Sequence, residues 1–213
     1  MIAAVEDLYL RFGGYGLPRT LTVCEQCGPE WSVADISSTP LRSLTLVQLE
    51  ALHVMSLRDD EFRHSFPRLI ESLLAESSPV FAFDLSTLRG RTLSWPAPER
   101  AAVANVVTDL WHALLSGYPA DLGYFSDSPT LIDFTYWCDQ PLQTHLDRWQ
   151  LNDTLAAAQH LGELVEWAFT VREPIEPAVK DPILSWLRQP VIGERLVSAH
   201  LDGAEELWRV CAR

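Results

Sequence analysis

Apolar residues recur at spacings of three and four in nearly every periodic stretch of this chain, and each stretch opens with a capping residue or a proline. The run from Pro40 to Ala75 shows the pattern most fully. Thr45 with Gln48 three residues later is a capping box, and Leu46, Leu49, Leu52 and Met55 follow at helical spacing. Asp59 suits a cap for a second segment, and Asp60 and Glu61 suit a first turn, where the helix dipole favours negative charge. Pro67 is expected to kink that segment or restart it as a first helical residue. Leu69, Ile70, Leu73 and Leu74 supply its stripe. A helix pair of this kind cannot bury both faces alone, so it requires neighbours.

The rest of the chain supplies them. Ile2, Val5, Leu8, Tyr9 and Phe12 share one face of a helix over residues 2–12, ended by Gly13-Gly14-Tyr15-Gly16. A helical turn fits within Trp31–Ser37, and Asp84 suits the cap of a short helix ending near Gly90. The clearest helix starts at Pro96-Ala97-Pro98-Glu99 and stops at Gly117, with Val103, Val106, Val107, Leu110, Trp111, Leu114 and Leu115 as its buried stripe. Ser128-Pro129, Pro141, Asn152, Asp181-Pro182 and Gln189-Pro190 open further helices, and Gly203 precedes a last one. Val80-Phe81-Ala82-Phe83 is the one strand-like run, too short and isolated to change the class. The expectation is an all-α chain of about ten helices in one domain over residues 1–213. Its short connections favour stacked antiparallel helical hairpins, in a HEAT- or armadillo-like irregular solenoid or an orthogonal bundle.

Four elements carry a family resemblance: Cys24-x-x-Cys27, Pro40-Leu41-Arg42-x-Leu44, Asp60-x-Phe62-Arg63-His64-x-Phe66-Pro67-Arg68, and Trp95-Pro96-x-x-Glu99-Arg100. In this order they resemble a group of uncharacterised bacterial proteins, over roughly residues 9 to 115. The chain departs from that group at Ser65-Phe66, since the group's pattern has a Leu before the Pro. The resemblance implies an all-helical, repeat-like fold; it implies no activity and no catalytic residue.

Composition narrows the function classes. The 213 residues are 47% hydrophobic and 21% charged, ordinary for a globular chain with a sizeable core. No uncharged apolar run approaches the roughly eighteen residues of a membrane helix, so no membrane role is expected. Glu6 and Asp7 stand where a secretory signal would be basic, which points to the cytoplasm. Sixteen basic residues against 29 acidic ones leave a net charge of −13, which disfavours nucleic acid as a partner. The cysteines (Cys24, Cys27, Cys138 and Cys211) make no disulfide framework.

Local motifs for chemistry are sparse. Cys24 and Cys27 are half of a zinc site, whose remainder would have to come from distant residues such as His53, His64 or Cys138. Without a second pair the residues predict structural thiols, no metal and no cofactor. His53, His64, His112, His145, His160 and His200 stand without a Ser, Cys or carboxylate at a motif spacing, so no catalytic residue is assigned. His64 is the most interesting, although Arg63 and Arg68 read more simply as ties to carboxylates, with Phe62 and Phe66 inside. Gly13-Gly14-Tyr15-Gly16 lacks the Lys-Ser/Thr of a phosphate loop.

The segment from Ala101 to Val171 stands apart, with nine acidic residues and one basic residue, Arg148. Between Tyr118 and Trp137 it also holds Tyr124, Phe125, Phe134 and Tyr136. Aromatic anchors beside unpaired carboxylates suit capture of a cationic partner. The sequence therefore predicts a protein-binding or adaptor module that takes a basic protein partner on Tyr124, Phe125, Asp127, Asp133, Tyr136 and Asp139. An inhibitor of immunity type is one concrete version. The alternative is an enzyme or small-ligand-binding protein with a site assembled around His64 and Cys24/Cys27.

Overall fold

The computed structural model describes residues 1–17, 21–26, 30–75, 84–170, 176–199 and 203–211. Among them the chain is all-α, with eleven α-helices, five short 3-10 turns and no strand. The strand-like run 80–83 lies outside the described residues, as do Cys27 and His200.

In the first half, α1 (Ile2–Phe12) buries Ala4, Val5, Leu8 and Phe12. α2 (Val33–Ser38) is opened by a capping box between Ser32 and Asp35, and α3 (Leu46–Ala51) by the expected one between Thr45 and Gln48. α4 (Asp59–Ala75) differs from expectation. Its 17 residues run through Pro67 without a restart, and Asp59 is its first residue rather than its cap. Packing decides this: Phe62, Phe66, Leu69, Ile70 and Leu73 are all within 1% of complete burial, and that gain outweighs one missing backbone hydrogen bond.

α5 (Ala97–Ser116) is the longest helix, bounded as the sequence predicts by Pro96 and Gly117. Gly117 ends it in an extended conformation rather than a left-handed one. α6 (Ser128–Trp137) is capped by Asp127, whose carboxylate accepts from the Thr130 N–H at 2.8 Å. α7 (Leu142–Leu151) follows, then α8 (Leu155–Thr170), where Thr154 Oγ1 takes the Ala157 N–H and Asn152 instead braces Thr154. α9 (Pro177–Leu187) starts earlier than Asp181 and passes through Pro182. α10 (Pro190–Ser198) and α11 (Ala204–Cys211) are divided by Gly203 at φ +75°.

One contiguous core runs from Ala4 to Ala204. α1 lies against α4 and α5, while α8 lies against α5, α6, α10 and α11. The tryptophans mark the two densest regions. Trp95 is enclosed by Phe12, Phe62 and Phe66, with centroid separations of 5.2 to 6.2 Å. Trp149 lies 5.6 Å from Trp111 and 5.4 Å from Trp186. Rings of this size fill the wide gaps between crossing helices that aliphatic side chains would leave open.

Candidate acidic docking patch

The six residues expected to hold a partner separate into two groups. Tyr124, Asp127 and Asp133 come together where the 3-10 turn Gly123–Phe125 meets α6. Phe125 is not on the surface. It is completely buried against Phe134 at 4.7 Å, because this turn sits on α4 and presses the ring inward. Tyr136 and Asp139 belong to the other end of α6 and hold the fold together. Arg89 lies 4.1 Å over the Tyr136 ring and pairs with Asp139. Asp139 also accepts from the Gly90 N–H at 2.9 Å and the Thr92 hydroxyl at 2.6 Å. A cation distant in sequence thus neutralises a carboxylate that its own acidic segment leaves unpaired.

Two further residues join the first group: Trp137, which closes the aromatic cluster in the sequence, and Glu176, which no local signal marked. Glu176, at the cap of α9, donates its backbone N–H to Asp133 Oδ1 at 3.1 Å. Its own carboxylate receives the Trp137 indole N–H at 3.3 Å. The patch is therefore Tyr124, Asp127, Asp133, Trp137 and Glu176. Asp127 is exposed, and the other four are half-buried. Burial pushes the Asp133 carboxyl up to about 6, against the Glu176 backbone hydrogen bond and with help from the charges of Glu176 and Asp127. Tyr124 is raised by burial and by the same two aspartates. None of the three carboxylates forms an ion pair with a described residue.

The residues around His64 form a different structure. Asp59 and Arg63, one turn apart on α4, pair with each other, and Arg63 Nη1 donates to the Tyr15 hydroxyl at 2.6 Å. That hydroxyl donates in turn to Glu99 Oε1 at 2.7 Å. His64 Nδ1 lies 2.8 Å from the Tyr15 carbonyl oxygen, so the ring is held on backbone. Arg68 ties Glu71 and the Leu44 carbonyl, which is the tying role the sequence suggested. Cys24 donates its N–H to the Ala51 carbonyl at 2.8 Å, and no group of three His, Cys, Asp or Glu suited to a metal occurs among the described residues. Cys138 is completely buried, and burial pushes its thiol well above the ordinary range. Among the described residues, no helix is long and apolar enough to cross a membrane.

No family model, curated protein or solved structure matches the chain.

Proposed function

We propose that the chain is a helical binding module that captures a basic protein partner through Tyr124, Asp127, Asp133, Trp137 and Glu176. One observation carries this reading: the Asp127 and Glu176 carboxylates stand beside the half-buried Asp133, whose proton affinity burial and those two charges raise, and no described cation is paired with any of the three. An arriving Lys or Arg would supply the missing charge, while the half-buried Tyr124 and Trp137 rings offer apolar contact at the same place. The scaffold in this reading is an irregular stack of antiparallel helical hairpins, supported by the packing of α10 on α11 and of α6 on α7. The setting is the cytoplasm, and the role is that of an adaptor or of an inhibitor of a cationic protein.

The test is affinity capture with the wild-type chain and with Asp127→Lys/Glu176→Lys, followed by binding kinetics on each protein recovered. A partner of this patch is basic, is lost from the charge-reversed variant, and associates more slowly as salt rises. Partners recovered equally by both forms, with salt-independent rates, would overturn the proposal.

A further inference from the structure

A cavity of about 190 Å³ involving α5 and α7 is lined by Trp111, Leu115, His145, Arg148 and Asn152, among others. At about 10–15 Å³ of such space per water, it has room for a small organic molecule. Its apolar wall is built first. Trp111 is 3% exposed, and its indole N–H is already given to Thr135 Oγ1 at 2.9 Å, so the indole contributes its ring. His145 stacks on that ring, 5.5 Å between centroids and 14° from parallel, and Leu115 extends the wall.

The polar lining is rich in N–H donors that the fold leaves unused. Asn152 Oδ1 accepts from the Thr154 N–H at 3.1 Å and its hydroxyl at 2.8 Å, which orients the amide and leaves Nδ2 without a partner among the described residues. Arg148 is exposed and makes neither an ion pair nor a hydrogen bond with a described residue. This is unexpected for the only basic residue among nine acidic ones between Ala101 and Val171. His145 is 5% exposed, and its Nδ1 is buried with no hydrogen-bond partner. No carboxylate lines the cavity, although the surrounding segment is the most acidic in the chain.

We propose that this cavity binds a small monocarboxylate with a flat apolar body. The carboxylate lies on Arg148 and Asn152, and the body lies against Trp111, His145 and Leu115. A guanidinium beside an amide N–H matches the two oxygens of a carboxylate. Arg148 is the one Arg or Lys in the lining and matches one negative charge, and burial keeps His145 neutral at physiological pH. A dianion such as phosphate would leave one charge uncompensated and gain nothing from the ring wall.

Benzoate titrated into the full chain, followed by calorimetry and by amide chemical shifts, tests the proposal. Benzoate is expected to bind saturably at one site and to shift amides of α5 and α7. Arg148→Gln should weaken it by about tenfold or more, the loss of a charge-assisted pair. Benzyl alcohol, which keeps the ring and lacks the charge, should be weakened similarly. Arg188→Gln, which removes an exposed cation at the end of α9, should leave binding unchanged. Absence of saturable binding would overturn the proposal. So would equal affinity in Arg148→Gln, or inorganic phosphate binding as tightly as benzoate. Arg148 is exposed, so its replacement tests the site and not the fold.

Discussion

The Trp95 indole N–H donates to Asp59 Oδ1 at 2.8 Å, and the other oxygen of the same carboxylate holds the Arg63 guanidinium. This joins the two most distinctive sequence runs, the one around Arg63 and the one beginning at Trp95, through a single side chain. Tyr15 closes the circuit by bridging Arg63 to Glu99. The first turn of α4, the start of α5 and the loop after α1 are thereby fixed to one another above the Phe12, Phe62 and Phe66 rings.

Glu99 is 5% exposed, and its Oε2 has no hydrogen bond and stands 3.6 Å from Arg63 Nη1. Removing Arg63 strands the Glu99 charge in a poorly solvated place, whereas removing Glu99 leaves Arg63 still paired with Asp59. Arg63→Met is expected to cost about 3–5 kcal/mol, and Glu99→Leu clearly less. The double replacement should cost clearly less than the sum, because the Glu99 charge that Arg63→Met strands is then gone. Urea unfolding of the four proteins reads this, and strict additivity would show that the pair is not coupled.

Gly123 is held at φ +58°, and a Cβ there would lie 2.6 Å from the Leu74 carbonyl carbon at the end of α4. The 3-10 turn that carries Tyr124 rests directly on that helix end. Gly123→Ala therefore meets both an unfavourable backbone region and a collision with main chain, which side-chain motion cannot relieve. A loss of roughly 1–3 kcal/mol is expected from the backbone conformation alone. Thermal unfolding measures it, and Gly90→Ala, at φ +80° in open space, is the control for the backbone term.

Helix positions were legible where one local interaction decides them. The capping box at Thr45, the Pro96 start and the Asp84 cap all appear where their residues place them. Signals that compete with packing misled: Pro67 and Pro182 are absorbed inside helices because their neighbours are buried. The partner patch was half legible. Charge counting found Asp127 and Asp133, but nothing local to Glu176 says that its backbone will cap Asp133 from 43 residues away. The same blindness assigned Asp139 to the surface, since Arg89 reaches it across 50 residues. The monocarboxylate cavity left no signal, because its wall and its donors come from two helices about thirty residues apart.

His145 should make the fold acid-sensitive. Burial first, and then the charge of Arg148, hold its imidazole down to about 4 from an ordinary 6.5. Between those values the unfolded chain binds a proton that the folded chain refuses. This contribution is therefore complete above about pH 6.5 and is lost as pH falls towards 4. His145→Gln removes the titration. Its melting temperature should start lower than wild type at pH 7.5, through loss of the Trp111 stack, and the gap should narrow steadily towards pH 4.5. A constant gap across that range would show that His145 titrates normally.

Asp133 should act with the opposite sign. Burial raises its carboxyl to about 6 from an ordinary 3.8, so in that window the folded chain holds a proton that the unfolded chain has released. Stability from this group therefore falls as pH rises from about 4 to about 6, and the full penalty applies above it. Asp133→Asn keeps an oxygen that can accept the Glu176 N–H at 3.1 Å and removes the charge. The variant should match wild type near pH 4 and exceed it in melting temperature above pH 6. A basic partner on this patch would reverse the effect, since a cation beside Asp133 stabilises its ionised form. Binding near pH 6 should then release protons, visible as an observed enthalpy that changes with the ionisation enthalpy of the buffer. Asp133→Asn should abolish that dependence. If the buffer dependence persists in the variant, the released proton comes from elsewhere, and Asp133 is not where the partner's cation lies.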